Sequence, residues 1–518
     1  MDEQHRRDLI IIGAGLNGLT AGTAYLLGCE GRKNRVLLIE KNAVCGGYVA
    51  SYARQGWLFE TCQMTSDISD ILRYLGIGLE MKEFGPDFIR LFVADTAAGR
   101  TDAMFFPSGA SDFEEMLRRM FPSDAENIKR FFDYSGKMYR EIDSLKYAPG
   151  FADTLRMLST CPRVIANASK TFAAYAQRFG LERSGCMEVF QIFSSLCGLP
   201  NGAIAALLTV GVMFSLFDRA YRPAGLFTDL PHRLRERYLS LGGELLFHSE
   251  VSEIITGGGA VCGVRLANGG YYTAESVVST ADVKSSLGVL LGAENDSPLK
   301  TAYRRRVGRI RMTPSAFTVN IGLTGDPPGI EPLRCGYAVL ASGPGAFRSL
   351  FAGFEKGECL LSENLFHIGI SCPPKREGRK PVLSLQAVPM PAHDWITLRA
   401  ADYAAYREKK ENTASLIIDI VRRYLLPELS AYIGVLDIAT PATYARYSGS
   451  PTGSIYDMAC VPDNFGRRRL PVKTPVEGLY IPKFAHGVFG SMNSGMQVAD
   501  MLLDGRIMHG NSRLGGRE

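Results

Sequence analysis

Three glycines and one acid carry the first chemical message of this chain. Gly13, Gly15 and Gly18 follow an all-apolar run at residues 9–12 and lead into a small-residue stretch at 19–27. A second apolar run, residues 36–39, ends in Glu40. Strand, glycine turn, helix, strand and acid, in that order, make a site for the ADP half of a dinucleotide. Gly13 permits the tight turn. Gly15 lets the backbone, with Leu16 and Asn17, approach a pyrophosphate, and Gly18 lets helix and strand pack closely. The helix N-terminus adds partial positive charge beside the anion. Glu40, with Lys41 beside it, is placed to accept hydrogen bonds from the adenosine ribose. The spacing admits a nicotinamide or a flavin. The Gly46-Gly47 pair followed by Tyr48 favours flavin, because two glycines just past the acid let the chain pass close to the pyrophosphate of an extended FAD.

These residues need elements to hold them. Residues 9–12 and 36–39 read as strands buried on both faces. Residues 52–61 read as further strands. Between 108 and 221 the pattern turns helical: 113–121 has apolar residues at helical spacing behind a Ser111-Asp112 cap, and 128–139 and 171–179 repeat it. The apolar run 203–217 falls short of the ~20 residues that span a bilayer, so it reads as a buried helix ahead of one that dips into a leaflet. Phe190, Phe193, Met213, Phe214 and Phe217 read as core rather than tunnel lining. An amphipathic helix over 230–241 closes at Gly242-Gly243. Strands at 244–247, 262–266 and 271–273 follow, with Asn268-Gly269-Gly270 as a hairpin turn. Residues 312–388 are β-rich, with strands at 318–323, 365–372 and 382–388; 401–425 is helical, and 471–482 returns to the first unit.

Composition narrows the function classes. A chain of 518 residues, 46% apolar and 21% charged, can hold two or three structural units. A net charge of +5 gives no reason to invoke nucleic acid. Arg304-Arg305-Arg306 with Arg309 and Arg311, and Arg467-Arg468-Arg469, read as solvated surface ahead of an anionic-lipid patch. Eleven cysteines, an odd count without a CxxC pair, favour reduced thiols over a disulfide framework or a zinc site. His232, His248, His367 and His393 lie at no metal-ligand spacing, and no metal is expected. The charged residues 1–8 run straight into the first strand without a targeting segment. A cytoplasmic protein is expected, with peripheral membrane contact as the second reading. Nothing in the pattern specifies an oligomer.

Four blocks carry a more specific likeness. They are residues 12–47; Tyr221-Arg222-Pro223-Ala224-Gly225 on through Leu241-Gly242-Gly243-Glu244 and Val251 to Asp282; Thr313-Pro314-Ser315-Ala316-Phe317; and Thr440-Pro441-Ala442-Thr443 on to Gly478-Leu479-Tyr480 and Ser494-Gly495. With these the sequence resembles the FAD-dependent phytoene desaturase, carotenoid isomerase and retinol saturase group, a branch of the amine-oxidase-like flavoproteins. The resemblance implies an α/β protein with a Rossmann-type FAD-binding domain, discontinuous in sequence (1–80, 222–297 and 471–518). It also implies a mixed β-sheet substrate domain (81–107 and 298–470) and a helical cap at the substrate entry (108–221).

By the same resemblance Val251 lies beside the adenine. The glycine-rich loop 485–495 lies against the isoalloxazine edge, with Gly487, Ser494, Gly495 and Met496 around the N-terminus of a closing helix at 496–503. His486 is the one histidine in a cofactor block and the candidate acid or base, weighed against a packing role. Where many relatives carry an acid after the Gly-Leu-Tyr strand, this chain has Ile481-Pro482-Lys483-Phe484; Lys483 is expected to meet the pyrophosphate instead. The implied activity is hydride transfer to or from flavin N5 on a lipophilic polyene: desaturation, saturation or cis–trans isomerisation. The alternatives are an amine or amino-acid oxidase, and a flavin-free prenyl-binding protein like the Rab GDP-dissociation inhibitors.

Overall fold

The apolar run behind the first glycine becomes the strand Arg6–Ile12, whose last four residues are buried. The computed structural model describes residues 5–29, 35–145, 159–291, 298–465, 468–483 and 487–507. Arg6–Ile12 pairs in parallel with Val36–Ile39 on one side and with Tyr271–Ser279 on the other. Glu244–Leu246 extends the sheet beyond Val36–Ile39, and Leu479–Tyr480 adds a parallel strand to Tyr271–Ser279. An antiparallel pair, Val251–Gly257 and Ala260–Leu266, completes seven strands. The strand at 251–257 was not expected. Its exposed Ser252 interrupts the apolar run, as suits a strand at the sheet's edge.

The second sheet also has seven strands, in the order 433–439, 315–323, 382–390, 367–371, 337–341, 89–95 and 100–106. Every residue of Ser315–Leu323 is buried, so this strand is covered on both faces. Phe317, Val319 and Ile321 join the helix Tyr403–Tyr424 on one side through Ile417 and Val421. The opposite face packs in part on an apolar cluster with the helices at 110–145 and 162–218, through Ala316, Val339, Ala341 and Val388. His367 stands on it, opposite Ala341, with its imidazole edge-on to Phe347 at 4.7 Å. Burial pulls the His367 pKa from 6.5 down to about 4, so the ring is neutral in the folded protein.

Helices between the sheets form an aromatic core. Phe113 meets Phe217 at 4.8 Å and Phe131 meets Phe190 at 5.1 Å. The run at 203–217 is the buried helix Ala206–Asp218, and Phe190, Phe193, Met213, Phe214 and Phe217 are buried with it. Among the described residues no helix is long and apolar enough to cross a membrane. All eleven cysteines are reduced thiols. One cap moves: the helix Ala110–Met120 starts at Gly109, which holds φ +99°, so Ser111 and Asp112 lie within its first turn. There Asp112 complements the helix dipole rather than capping it.

The C-terminal glycines correct a larger expectation. The segment predicted as a loop up to residue 495 is the helix Gly487–Leu502. It crosses the first helix, Leu16–Gly28, with Gly495 at the contact; a Cβ there would lie 2.5 Å from the Asn17 carbonyl oxygen. Small residues that read as loop formers instead let two helix backbones touch, and that packing outweighs their low helix propensity.

Two outcomes test this packing. Gly495→Val forces the helices apart and should cost roughly 1–3 kcal/mol, read as a lower denaturation midpoint at unchanged slope. For His367 the unfolded chain binds the extra proton between pH 6.5 and about 4. Stability therefore falls on acidification through that window, by up to about 3 kcal/mol. The same acidification should cost His367→Gln less, by that amount; equal losses would show that His367 is not held neutral.

Candidate active site

The crevice begins where the first strand ends. Gly13 turns with φ +100° and donates its N–H to the Ile39 carbonyl at 2.8 Å. A side chain there would strike Thr280, whose hydroxyl donates to the Ile12 carbonyl at 2.8 Å. At Gly18 a Cβ would lie 2.0 Å from the Gly13 carbonyl oxygen, so helix and turn touch backbone to backbone. Gly46 (φ +117°) donates to the Ala14 carbonyl at 2.8 Å. Gly47 sits so close that its Cβ would lie 3.3 Å from Gly15 Cα. Two glycine segments are thus pinned edge to edge above the N-terminus of Leu16–Gly28, which no side chain caps among the described residues. The Leu16 side chain is buried in the core and can offer a ligand only its backbone.

Glu40 holds this turn together. One carboxylate oxygen accepts the Ala14 N–H at 2.8 Å and the other the Asn42 N–H at 2.9 Å. A carboxylate has about four acceptor positions, so two backbone donors leave capacity for ribose hydroxyls. The turn-fixing role was not visible from the sequence motif. Ser249 donates to the Glu40 carbonyl at 3.0 Å and His248 to that of Asn42 at 3.2 Å. This draws Val251 toward the acid, packed with Ile12, Leu37 and Ile39.

The two lysines point elsewhere. Lys41 donates to the Arg446 carbonyl at 3.0 Å, tying the crevice to the end of the helix Pro441–Ser448. Burial lowers its pKa. Lys483, expected at the pyrophosphate, pairs with Asp457 at 2.5 Å and donates to the Thr280 carbonyl at 3.1 Å. Asp282 lies beside that pair. Its Oδ1 accepts the N–H groups of Lys284 and Ser285 at 2.9 and 3.0 Å, while its Oδ2 is buried without a hydrogen bond among the described residues. Burial first, then the Asp457 charge, push the Asp282 pKa up. Sequence reasoning missed both acids because they come from segments far apart in the chain.

The C-terminal candidates divide. Gly487, with φ +75°, opens the closing helix. Ser494, Gly495 and Met496 lie inside it: the Ser494 hydroxyl donates to the Gly490 carbonyl at 2.7 Å, and Met496 is fully buried against the first helix. They are packing residues and do not form a helix N-terminus. Phe484 and His486 lie outside the described residues.

Beyond Gly47 the burial of several tyrosines implies internal space. Tyr48, whose hydroxyl donates to the Ser454 carbonyl at 2.7 Å, keeps 40% of its surface accessible. Desolvation nonetheless dominates the electrostatics of its phenol. Tyr337, Tyr444, Tyr456 and Cys62 share that pattern, ringed by protein but only half-buried. Residues both deep and accessible must face internal space, and the Tyr456 phenol lies within electrostatic range of Tyr337, Tyr444 and Cys62. Burial raises every one of these phenol pKa values and pushes the Cys62 thiol up to about 12, so these five groups are neutral.

The residues present fit an FAD. A side chain at Gly15 or Gly47 would fill the cradle. Asn17 leaves its Oδ1 buried with no hydrogen bond among the described residues, while its amide donates to the Pro482 carbonyl at 2.8 Å. The void lies next along the chain, where a flavin ring would project.

The family model described as flavin containing amine oxidoreductase matches residues 18–349. The chain is 24% identical over 500 residues to a chloroplastic prolycopene isomerase of Arabidopsis thaliana, covering 91% of this chain and 78% of that protein. It is 25% identical over 468 residues to a lycopene-forming phytoene desaturase of Paracoccus sp. (strain N81106 / MBIC 01143), covering 87% of each. Its fold matches that of a cyclohexylamine oxidase from Brevibacterium oxydans with a TM-score of 0.60 at 15% identity, over 96% of this chain and 99% of that one.

Replacing Glu40 tests the crevice. Glu40→Gln keeps the shape but puts an N–H₂ where the backbone and ribose need an acceptor. FAD affinity should fall by roughly 10–100-fold, measured by titrating FAD into the apoprotein and following flavin fluorescence. An unchanged affinity would place the adenosine elsewhere.

Proposed function

The chain belongs to the flavin-containing amine oxidoreductase family, and we propose that it acts on C=C bonds of a lipophilic polyene by desaturation, saturation or cis–trans isomerisation. It is an FAD-dependent oxidoreductase, and the relatives it resembles are enzymes of carotenoid chemistry by name. The observation that carries the proposal is the void itself. Neutral tyrosine rings, those of Tyr48, Tyr337, Tyr444 and Tyr456, face it, and the sheet that carries Tyr337 continues into the apolar cluster of the helices at 110–145 and 162–218. A polyene presents π surface and apolar length, which such walls accept without a charged partner.

Gly13, Gly15, Gly18, Glu40, Gly46 and Gly47 would hold the FAD, which when bound supplies a two-electron acceptor or donor. The protein's own residues do the rest. The glycine turns and Glu40 fix where the adenosine half sits, and Tyr48 begins the wall beyond it. The aromatic core under the cap shuts bulk water from one side, so the reacting carbons meet a dry surface. No dedicated triad is needed, because a carbocation formed next to a π system loses its proton to a weak base. A substrate of this kind partitions into lipid, so the proposal carries with it a peripheral encounter with a bilayer.

An amine oxidase is the weaker reading. Tyrosine rings can surround an ammonium, yet Asp457 is paired with Lys483, Asp437 accepts the Tyr52 hydroxyl at 2.8 Å, and Asp282 spends its Oδ1 on two backbone N–H groups while burial raises its pKa.

Anaerobic mixing separates the readings. Oxidised enzyme should lose its flavin absorbance with a polyene substrate and keep it with primary amines. If turnover requires prior reduction of the flavin, saturation or isomerisation is the reaction. Bleaching by amines alone would overturn the proposal.

A further inference from the structure

The floor of the void is not uniformly apolar, and its polar part is ordered by strand register. Val339 faces Gly369, Gly369 faces Gln386, Gln386 faces Thr318 and Thr318 faces Ala439, so these five residues make one row across the second sheet. The missing side chain at Gly369 has a consequence. The ring of Tyr337 lies over it, and a Cβ at 369 would come within 2.8 Å of the Tyr337 hydroxyl. The phenol is thereby carried along the row toward Gln386.

Two atoms along this row, one of them from the Tyr337 ring that overlies it, are left over. The Tyr337 hydroxyl makes no hydrogen bond among the described residues and is not sealed from the void. The Gln386 Nε2 spends itself on two long contacts, to the Thr318 and Tyr444 hydroxyls, both at 3.4 Å. Its carbonyl oxygen accepts nothing among the described residues and is likewise unsealed. Tyr444 closes the row from above, its hydroxyl 2.7 Å from that of Thr318. One donor and one acceptor therefore face the same space, with no ionised partner on either. On the same sheet Ala316, Val339, Ala341 and Val388 join the apolar cluster of the cap.

Polar atoms that open on internal space are paired by what occupies it, solvent or a ligand atom that displaces the solvent. A carboxylate or ammonium would need a counter-charge that the row does not offer. An uncharged oxygen needs only what is there. Resting on the polyene reading above, we infer that the substrate carries a hydroxyl or carbonyl oxygen, bound by Tyr337 and Gln386 on the floor of the void, with its apolar body running on under the cap. Tyr337 and Gln386 are then specificity residues: they discriminate the oxygen-bearing substrate from the plain hydrocarbon.

The test uses four polyenes of equal length, a hydrocarbon and its terminal alcohol, aldehyde and carboxylate, with the FAD-loaded protein. Binding is read as quenching of protein fluorescence and as perturbation of the flavin spectrum, and turnover as flavin bleaching. The alcohol or aldehyde should bind about 10–100-fold more tightly than the hydrocarbon, and the carboxylate more weakly than either. Tyr337→Phe keeps the ring on Gly369 and should bring the preference close to one, and Gln386→Leu should reduce it similarly. Equal binding of hydrocarbon and alcohol by the wild type overturns this inference and leaves the polyene reading standing. So does a preference that survives in both variants. Failure of all four compounds to bind or to change the flavin overturns the polyene reading and this inference with it.

Discussion

The structure depends on a backbone-to-backbone contact. Gly15 and Gly47 pass backbone to backbone, with a Cβ at Gly47 only 3.3 Å from Gly15 Cα, Gly18 rests on the Gly13 carbonyl, and Gly495 brings a third segment down on the same helix start. Strand, turn and two helices are therefore fixed against one another around one helix N-terminus. Glu40 secures the assembly by accepting two backbone N–H groups. A crevice made of peptide groups, with an acid at one end and partial positive charge at the other, is suited to a dinucleotide before any other side chain is considered.

That contact divides the labour between the two sheets. The first, mostly parallel, positions the crevice at the carboxyl ends of its strands. The second turns one face to its own helices and the other to the void. The Tyr48 hydroxyl reaches the Ser454 carbonyl, and Lys41 reaches that of Arg446, so the two units meet through residues flanking the glycine pair. The void between them is lined by neutral rings from both units. A flavin held in the crevice would meet its substrate beside these rings, a setting that suits chemistry on C=C bonds.

The crevice was legible in the sequence because its requirements are local. A glycine at a positive φ, a helix start and an acid after an apolar strand leave marks at fixed spacing, and residues 9–47 carry them all. The strands at 315–323 and 382–390 were legible too, since alternation and apolar runs survive in a single sequence. The closing helix was legible only from residue 496: Gly487, Gly490, Ser494 and Gly495, in its first turns, look like loop residues until the partner helix is present to explain their size. The Lys483–Asp457 pair was hidden for a different reason. Ion pairs between distant segments leave no periodic mark, and the lysine alone suggested a phosphate. The tyrosine-lined void belongs to the same class, since Tyr48, Tyr337, Tyr444 and Tyr456 are separated by long stretches and only the packing of the two sheets brings them together.

The most direct measurement is the electron density of the protein crystallised with FAD. The adenosine should lie against Glu40, the pyrophosphate between Gly15 and Gly47, and the isoalloxazine should enter the void beside Tyr48. Density for the dinucleotide elsewhere, or a flavin ring lying outside the tyrosine-lined space, would contradict this placement and the chemistry built on it.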